Sequence, residues 1–360
     1  MRFFKFFIYF VLGLLLIFYI AKIQYNPYYN ESKSHHTKMG FINNYPIPPK
    51  ELSFLSWMWQ KITIKKDTTI FKPTPRTEVD LDFLKNNRGQ NAAIWIGHST
   101  TLIQTQGYSV LTDPIWSERA SPVSFAGPKR YSAPAMPIED LPAIDFVLIS
   151  HTHYDHLDLS SIRFLMKNHP NINFLVPLGV ERWFEENVEG TSLEGDSQNV
   201  FALDWWDTLS FASQGRNKIQ FDFLPVQHWS MRWPHDRGKN LWGSWALLAS
   251  NFKFWFSGDL GMSKDIEDIS KKYDGFDLAA IAIGAYSPRG FMKNFHINPK
   301  EALLIANKLN VKNAFGIHWG TFPLTDEPYD EPPKKLKEAL SETNSEINFE
   351  TYPLGYIKVF

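Results

Sequence analysis

The 360-residue sequence contains no cysteine. That absence excludes disulfides, thiolate nucleophiles and thiolate metal ligands together, so any metal site has to be built from His, Asp and Glu. It also leaves the redox compartment open. An excess of charge of one sign is missing as well, since 37 Lys and Arg stand against 38 Asp and Glu for a net charge of -1. Nothing in that balance points to a nucleic-acid partner, so partners have to be inferred from sites. No internal repeat is visible. What the chain does have is apolar material, 44% hydrophobic residues with 13 Trp, enough for one large core or two small ones.

One long apolar run, Phe6 to Ala21, stands apart at the start, preceded by Arg2 and Lys5 and followed by Lys22. It predicts a single-pass N-terminal membrane anchor over residues 1–24. A cleaved signal peptide is the competing reading, although no small-x-small cleavage site follows Ala21. Basic residues on both sides leave the orientation unset. Residues 25–90 are rich in Tyr, Asn, Ser, Lys and Pro without a sustained period, and they read as a linker and docking arm. Phe54 to Trp59 is the exception, an amphipathic element suited either to a lipid surface or to packing on the neighbouring domain.

From residue 91 the pattern changes. Short β-type runs appear at Ala92 to Ile96, Thr101 to Thr105, Tyr108 to Thr112, Phe146 to Ile149, Phe174 to Val176, Ile219 to Leu224, Trp245 to Ala249, Phe252 to Phe256, Leu278 to Ile283 and Ala314 to Ile317. Helical periodicity interrupts them at Leu159 to Lys167, Val180 to Glu186, Lys264 to Lys272, Pro299 to Leu309 and Pro333 to Glu342. Strands interspersed with helices predict a layered α/β domain over 91–360, two sheets covered by helices.

The chemistry concentrates in Ser150-His151-Thr152-His153-Tyr154-Asp155-His156-Leu157-Asp158, directly after the apolar strand at Phe146 to Ile149. In an extended segment residues two apart point the same way, so His151 and His153 can reach one metal. A turn then lets Asp155 and His156 address a second. Further ligands are available at other strand ends: His228, Asp259 after Phe256-Ser257-Gly258, and His318 after Ile317. His151, His153 and His228 would hold one ion, and Asp155, His156 and His318 the other, with the Asp259 carboxylate bridging them. Imidazole and carboxylate without sulfur suit two zinc ions, and iron or manganese would accept the same donors. His35, His36, His169 and His235 have no such context and read as surface or loop residues.

The His-x-His-x-Asp-His segment followed by His228, Asp259 and His318 resembles the metallo-β-lactamase superfamily. More narrowly, Trp95-Ile96-Gly97-His98-Ser99-Thr100, Leu111-Thr112-Asp113-Pro114, Gly127-Pro128-Lys129-Arg130, Gly284-Ala285-Tyr286-x-Pro288-Arg289, Phe291-Met292-Lys293, Ile317-His318-Trp319-Gly320-Thr321-Phe322 and Glu331-Pro332-Pro333 are similar to the N-acylphosphatidylethanolamine-hydrolysing phospholipases D. The likeness covers roughly 91–333 and implies a four-layer αββα sandwich. It also implies two zinc ions on the seven residues named, a substrate-facing catalytic histidine at His296, and a carboxylate at Asp113 that orients ligands. His98 would line the site or make a structural hydrogen bond in its turn.

The activity that follows is hydrolysis of a phospholipid phosphodiester beside a membrane, giving phosphatidic acid and an N-acylethanolamine, with Asp259 and His296 as the residues of the chemistry. The same kind of site attacks carbonyls, so a lactonase or other ester hydrolase is the enzymatic alternative. A non-catalytic membrane protein with a structural metal is the third reading. An open bridging position and an additional site histidine speak against it.

Overall fold

The computed structural model describes residues 25–49, 73–189, 199–212 and 215–360, together with Gly13, Glu51, Ser53 and Ser56. A small hairpin of β1 (His36–Thr37) and β2 (Gly40–Phe41) comes first, followed by α1 (Leu81–Asn86). One seven-stranded sheet contains β3 (Ala92–Gly97), β4 (Thr100–Thr105), β5 (Tyr108–Thr112), β6 (Phe146–Leu148), β7 (Asn173–Pro177) and β8 (Val200–Leu203), closed at its edge by β16 (Ile357–Val359). The other contains β9 (Thr208–Phe211), β10 (Ile219–Leu224), β11 (Ser244–Ala249), β12 (Phe252–Phe256), β13 (Phe276–Ala282), β14 (Val311–Ile317) and β15 (Asn348–Glu350). Both sheets are mixed. Pairing is antiparallel from β16 to β5 and from β9 to β12, and parallel from β5 to β8 and from β12 to β15.

Alternation within the first sheet shows how the layers stack. Ala93, Trp95, Ile103, Val110, Phe146 and Leu148 join a core shared with Phe221, Phe223, Trp245 and Phe254 of the second sheet. Their neighbours Ile94, Ile96, Leu102, Leu111, Val147 and Ile149 face a separate core with α2 (Leu159–Asn168) and α3 (Val180–Asn187). A period of two therefore sends successive residues to opposite faces, both of them dry. The second sheet carries α4 (Asp265–Lys272), α6 (Pro299–Lys308) and α7 (Glu331–Ser341), whose Ile266, Ile269, Ala302, Leu303 and Leu336 complete its apolar layer. The short α5 (Arg289–Met292) lies between β13 and α6. The result is the αββα sandwich anticipated from the sequence.

Of the predicted elements, the interior strands fall within a residue or two of their expected bounds, except β14, which begins at Val311, three residues before the expected Ala314. The short strands β8, β9, β15 and β16 were not anticipated; they have too few residues to show a period. No helix among the described residues is long and apolar enough to cross a membrane, so the single-pass anchor expected over 1–24 is withdrawn. The run itself also falls short of the roughly 17–25 residues a spanning helix needs. Phe6 to Ala21 lies outside the described residues apart from Gly13, and Phe54 to Trp59 does so apart from Ser56.

Candidate metal centre

Loops at the ends of strands from both sheets meet in one buried cluster. After β6 the chain runs through His151 and bends at His153, then turns where the His156 and Leu157 amides both donate to the His153 carbonyl, at 3.1 and 3.0 Å. That turn sends Asp155 and His156 to a different side from His151 and His153. His228 follows β10, Asp259 follows β12 through Gly258 at φ 55, and His318 follows β14 in a left-handed conformation at φ 62. His98 and Asp113 also have positive φ, 53 and 31. Side-chain-bearing residues avoid that region unless the surroundings hold them there, and such positions concentrate at functional sites.

Two groups of ligand atoms result. His151, His153, His228 and Asp259 form one, and Asp155, His156 and His318, joined by His98, form the other, with the atoms of each group within 4.8 Å of one another. His151 Nε2 lies 2.8 Å from His153 Nδ1, and His228 Nε2 lies 3.4 Å from the same atom. In the second group His156 Nε2 and His318 Nε2 are each 3.3 Å from Asp155 Oδ2. Asp259 lies between the groups: its Oδ1 is 3.2 Å from His318 Nε2, and its Oδ2 is 3.2 Å from His156 Nε2 and 3.9 Å from His151 Nε2 and from His228 Nε2. All seven residues lie in this one cluster, where His151 and His156 also approach each other, their ring centroids 4.1 Å apart.

Contacts behind the imidazoles fix which nitrogen faces inward. His228 Nδ1 donates to the Phe295 carbonyl at 3.0 Å, leaving Nε2 for the site. His156 Nδ1 lies 2.6 Å from Asp113 Oδ2, and Asp113 also accepts from the Ser150 amide and hydroxyl at 2.7 and 2.5 Å. Asp113 thus sets the direction of the His156 imidazole. His98 Nε2 lies 2.8 Å from Asp155 Oδ2 and so steadies a carboxylate of the second group, while its amide is held by Thr321 Oγ1. The His98 ring thus touches the site, and its backbone amide is tied to a loop 223 residues further along the chain.

Burial lowers the imidazoles of His151 and His228 well below their ordinary value and brings His153 and His296 down to about 4. Neutral, unprotonated nitrogens are what a metal requires. Burial also opposes charge on His318 and His156, but the Asp259 and Asp155 carboxylates outweigh it, raising His318 to about 9 and His156 well above the usual range. Against the same burial, Asp155 and Asp259 are held well below the ordinary carboxylate value, chiefly by His156. His153 Nε2, His156 Nε2, Asp259 Oδ1 and His296 Nδ1 are buried without a hydrogen-bond partner. A concentration of unsatisfied polar atoms in one place fits a set of donors that cations complete.

His296 stands at this cluster too, its Nδ1 3.7 Å from Asp259 Oδ2 and its ring 5.3 Å from that of His228. It does not cap α6. That role belongs to Asn298, which accepts from the Glu301 amide at 2.9 Å in a capping box. Arg289 explains part of the family-like motif around it, donating to the His296 carbonyl at 2.8 Å while gripping both Glu301 oxygens at 2.7 and 2.8 Å. Gly284 is obligatory for packing, because a Cβ there would sit 2.1 Å from the His318 carbonyl oxygen. A cavity of about 1190 Å³ touches Tyr154, Arg182, Trp183 and Arg232, but none of the seven candidate ligands lines it.

The expectation for His35 and His36 needs correcting. Both are buried, with Nε2 atoms 2.7 and 2.8 Å from separate oxygens of Asp204, and Lys33 Nζ is 2.6 Å from one of them. The adjacent pair His-His gave no signal because Asp204 lies 168 residues beyond His36. Asn43 was also missed. Its amide pairs with the backbone of His228, 185 residues away.

Residues 108–319 match the beta-lactamase superfamily domain. An N-acyl-phosphatidylethanolamine-hydrolyzing phospholipase D of Caenorhabditis elegans is 43% identical over 269 residues, 74% of this chain and 74% of the relative. A mitochondrial protein of Saccharomyces cerevisiae named for the same activity is 33% identical over 71% of this chain and 53% of its own length. Among solved structures, an isothiocyanate hydrolase from Delia radicum gut bacteria superimposes with a TM-score of 0.57 at 18% identity, over 75% of this chain and 99% of that one. At that identity the superposition speaks for the fold alone. On the sequence matches, the chain belongs to the metallo-β-lactamase superfamily of metal-dependent hydrolases and, within it, to the family that includes the N-acylphosphatidylethanolamine-hydrolysing phospholipases D.

Proposed function

We propose that the protein is a dizinc phosphodiesterase that hydrolyses N-acylphosphatidylethanolamine to phosphatidic acid and an N-acylethanolamine. The observation that carries this reading is a buried centre with two groups of His and Asp donors around Asp259, in a chain 43% identical to a relative named for that activity. His151, His153 and His228 would hold one ion, Asp155, His156 and His318 the other, and Asp259 would join them. Bound there, the ions supply a water acidified towards neutrality and positive charge for a phosphoryl oxygen.

The protein's own side chains do the rest. Asp113 at His156, the Ser150 hydroxyl at His151 Nδ1 (2.9 Å) and the Phe295 carbonyl at His228 hold these imidazoles in the tautomer that presents a lone pair to the site. His296, lowered to about 4 by burial, is neutral at working pH and offers one N–H to a phosphoryl oxygen of the substrate. Arg289 and Glu301 keep its backbone in place.

Zinc-loaded protein tested side by side on N-acylphosphatidylethanolamine, other phosphodiesters and lactones, with elemental analysis of the same preparation, tests the assignment. Close to two ions per chain and release of the two expected products support it. Turnover of lactones without turnover of the phospholipid would make the protein an ester hydrolase. Failure to take up metal would end the hydrolase reading altogether.

A further inference from the structure

Residues 26–48 pack along the catalytic domain next to the site. Asn26 donates to the carbonyls of Thr37 and Gly40 at 3.0 and 3.2 Å and closes the β1–β2 hairpin, and Phe41 is buried in the inter-sheet core. The Phe41 amide donates to the Gly238 carbonyl at 2.7 Å. Two residues later, Asn43 Nδ2 donates to the His228 carbonyl at 2.8 Å, and the His228 amide donates to Asn43 Oδ1 at 3.0 Å. Beyond that pair the Asn44 side chain donates to Asp265 at 2.9 Å, the Tyr45 hydroxyl donates to Asp268, and the Pro48 carbonyl accepts from Asn294 at 2.7 Å.

From this geometry we infer that Asn43 is a positioning residue for the metal centre, acting through the backbone of His228. The inference rests on the proposed role of His228 as a ligand. His228 is fully buried and lies in the loop beyond the end of β10, where no strand pairs with it to satisfy its peptide groups. An amide side chain has one donor and one acceptor in the arrangement of a peptide group, so Asn43 answers both at once. Only one orientation of the amide makes both bonds. With the imidazole tied at Nδ1 to Phe295, the ligand is then fixed at its backbone from the arm and at its ring from the opposite loop. A carboxylate at position 43 has no donor for the His228 carbonyl. Residues that orient a ligand in this way are worth roughly tenfold to a hundredfold in metal affinity.

The test uses the full chain, loaded with zinc and, separately, with cobalt as a spectroscopic probe. Zinc affinity is read by competition with a chromophoric chelator for wild type, Asn43→Ala, Asn43→Asp and Tyr45→Phe. Tyr45→Phe releases the arm from Asp268 without touching His228. Asn43→Ala and Asn43→Asp are expected to weaken one of two ions by roughly tenfold to a hundredfold and to alter the cobalt spectrum, whereas Tyr45→Phe leaves both unchanged. Asn43→Asp keeps the size and the acceptor and puts a charged oxygen in place of the donor that faces the His228 carbonyl, so it carries the test if the alanine variant fails to fold. Two ions bound by the Asn43 variants with wild-type affinity and spectrum would overturn the inference and leave the proposed function intact. Equal weakening in Tyr45→Phe would also overturn it, by assigning the effect to the arm as a whole. A wild-type chain that binds no metal overturns both.

Discussion

Asp113 offers the sharpest test of how the centre is held, because its carboxylate accepts three hydrogen bonds with no solvent to replace any of them. Oδ1 takes the Ser150 amide at 2.7 Å, and Oδ2 takes the Ser150 hydroxyl at 2.5 Å and His156 Nδ1 at 2.6 Å. Asp113→Asn keeps the shape and changes one acceptor into a donor. If the amide nitrogen faces Ser150 N–H, two donors meet in a buried pocket, and the orphaned pair costs about 1–3 kcal/mol of stability. If it faces His156 instead, Nδ1 must accept, the proton moves to Nε2, and the nitrogen aimed at the site can no longer bind a cation. Loss of such an orienting partner costs roughly tenfold to a hundredfold in affinity, or about 1.4–2.8 kcal/mol. No rotamer of Asn escapes both penalties.

The assay pairs chelator competition for zinc with urea unfolding of the metal-free protein. A fall of the stated size in one of the two is the expected outcome, and which one falls reports the orientation of the amide. Wild-type zinc affinity combined with an unfolding free energy within about 0.5 kcal/mol of wild type would refute the claim that Asp113 sets the His156 tautomer.

Three further outcomes follow from the same geometry. His296→Ala should lower turnover of the phospholipid by roughly a hundredfold or more with metal content unchanged; lost metal would make it a ligand, and normal turnover would make it structural. Asp259→Asn should fold and lose most activity, since an uncharged amide bridges two cations poorly, and a normal rate would remove Asp259 from its bridging role. In metal-free protein, His153 and His296 titrate at about 4 folded against 6.5 unfolded, so their contribution to stability is full above 6.5 and is lost as pH falls towards 4. His318, raised to about 9, contributes fully below 6.5 and loses its share as pH rises through 9, so these groups together favour a maximum near 6.5. Unfolding followed from pH 4 to 9 in chelator checks this, and a profile flat between 4 and 6.5 would show that those imidazoles are not buried neutral.

The chemistry was legible in the sequence because the site is assembled from strand ends. Apolar runs such as Phe252 to Phe256 mark where a strand stops, and Asp259 three residues later has to lie at its tip. The spacing in His151 to His156 likewise carried the turn that follows His153. What could not be read were partners chosen by packing. Asn43 occurs in an Asn-Asn-Tyr-Pro stretch with the composition of a linker, and only the fold brings it to His228. Arg289 belongs to a family-like motif, but its partner Glu301 is set only by the placement of α6. Edge strands such as β15 and β16, with three residues each, draw their definition from the neighbour they pair with.

His35, His36 and Asp204 meet the same test of proximity as the candidate metal centre, yet the two clusters differ in kind. In the first, every close contact is already a hydrogen bond: two imidazole nitrogens at 2.7 and 2.8 Å and the Lys33 ammonium at 2.6 Å occupy both oxygens of one carboxylate. Burial would raise Asp204, but the bonds from His35 and Lys33 hold it well below the ordinary carboxylate range, as expected of an acceptor whose needs are met. A cation entering there would have to displace an ammonium. At the centre around Asp259, the nitrogens of His156 and His318 stop 3.2 Å from carboxylate oxygens and those of His151 and His228 stop at 3.9 Å, while His156 Nε2 and Asp259 Oδ1 remain buried without hydrogen-bond partners. Each such atom costs about 1–3 kcal/mol if nothing answers it. The arm cluster is complete as it stands and fastens residues 33–36 to the domain. The other leaves buried donors unanswered, as a cluster able to bind metal does, and that difference, more than the presence of histidine, distinguishes the candidate centre from a polar clasp.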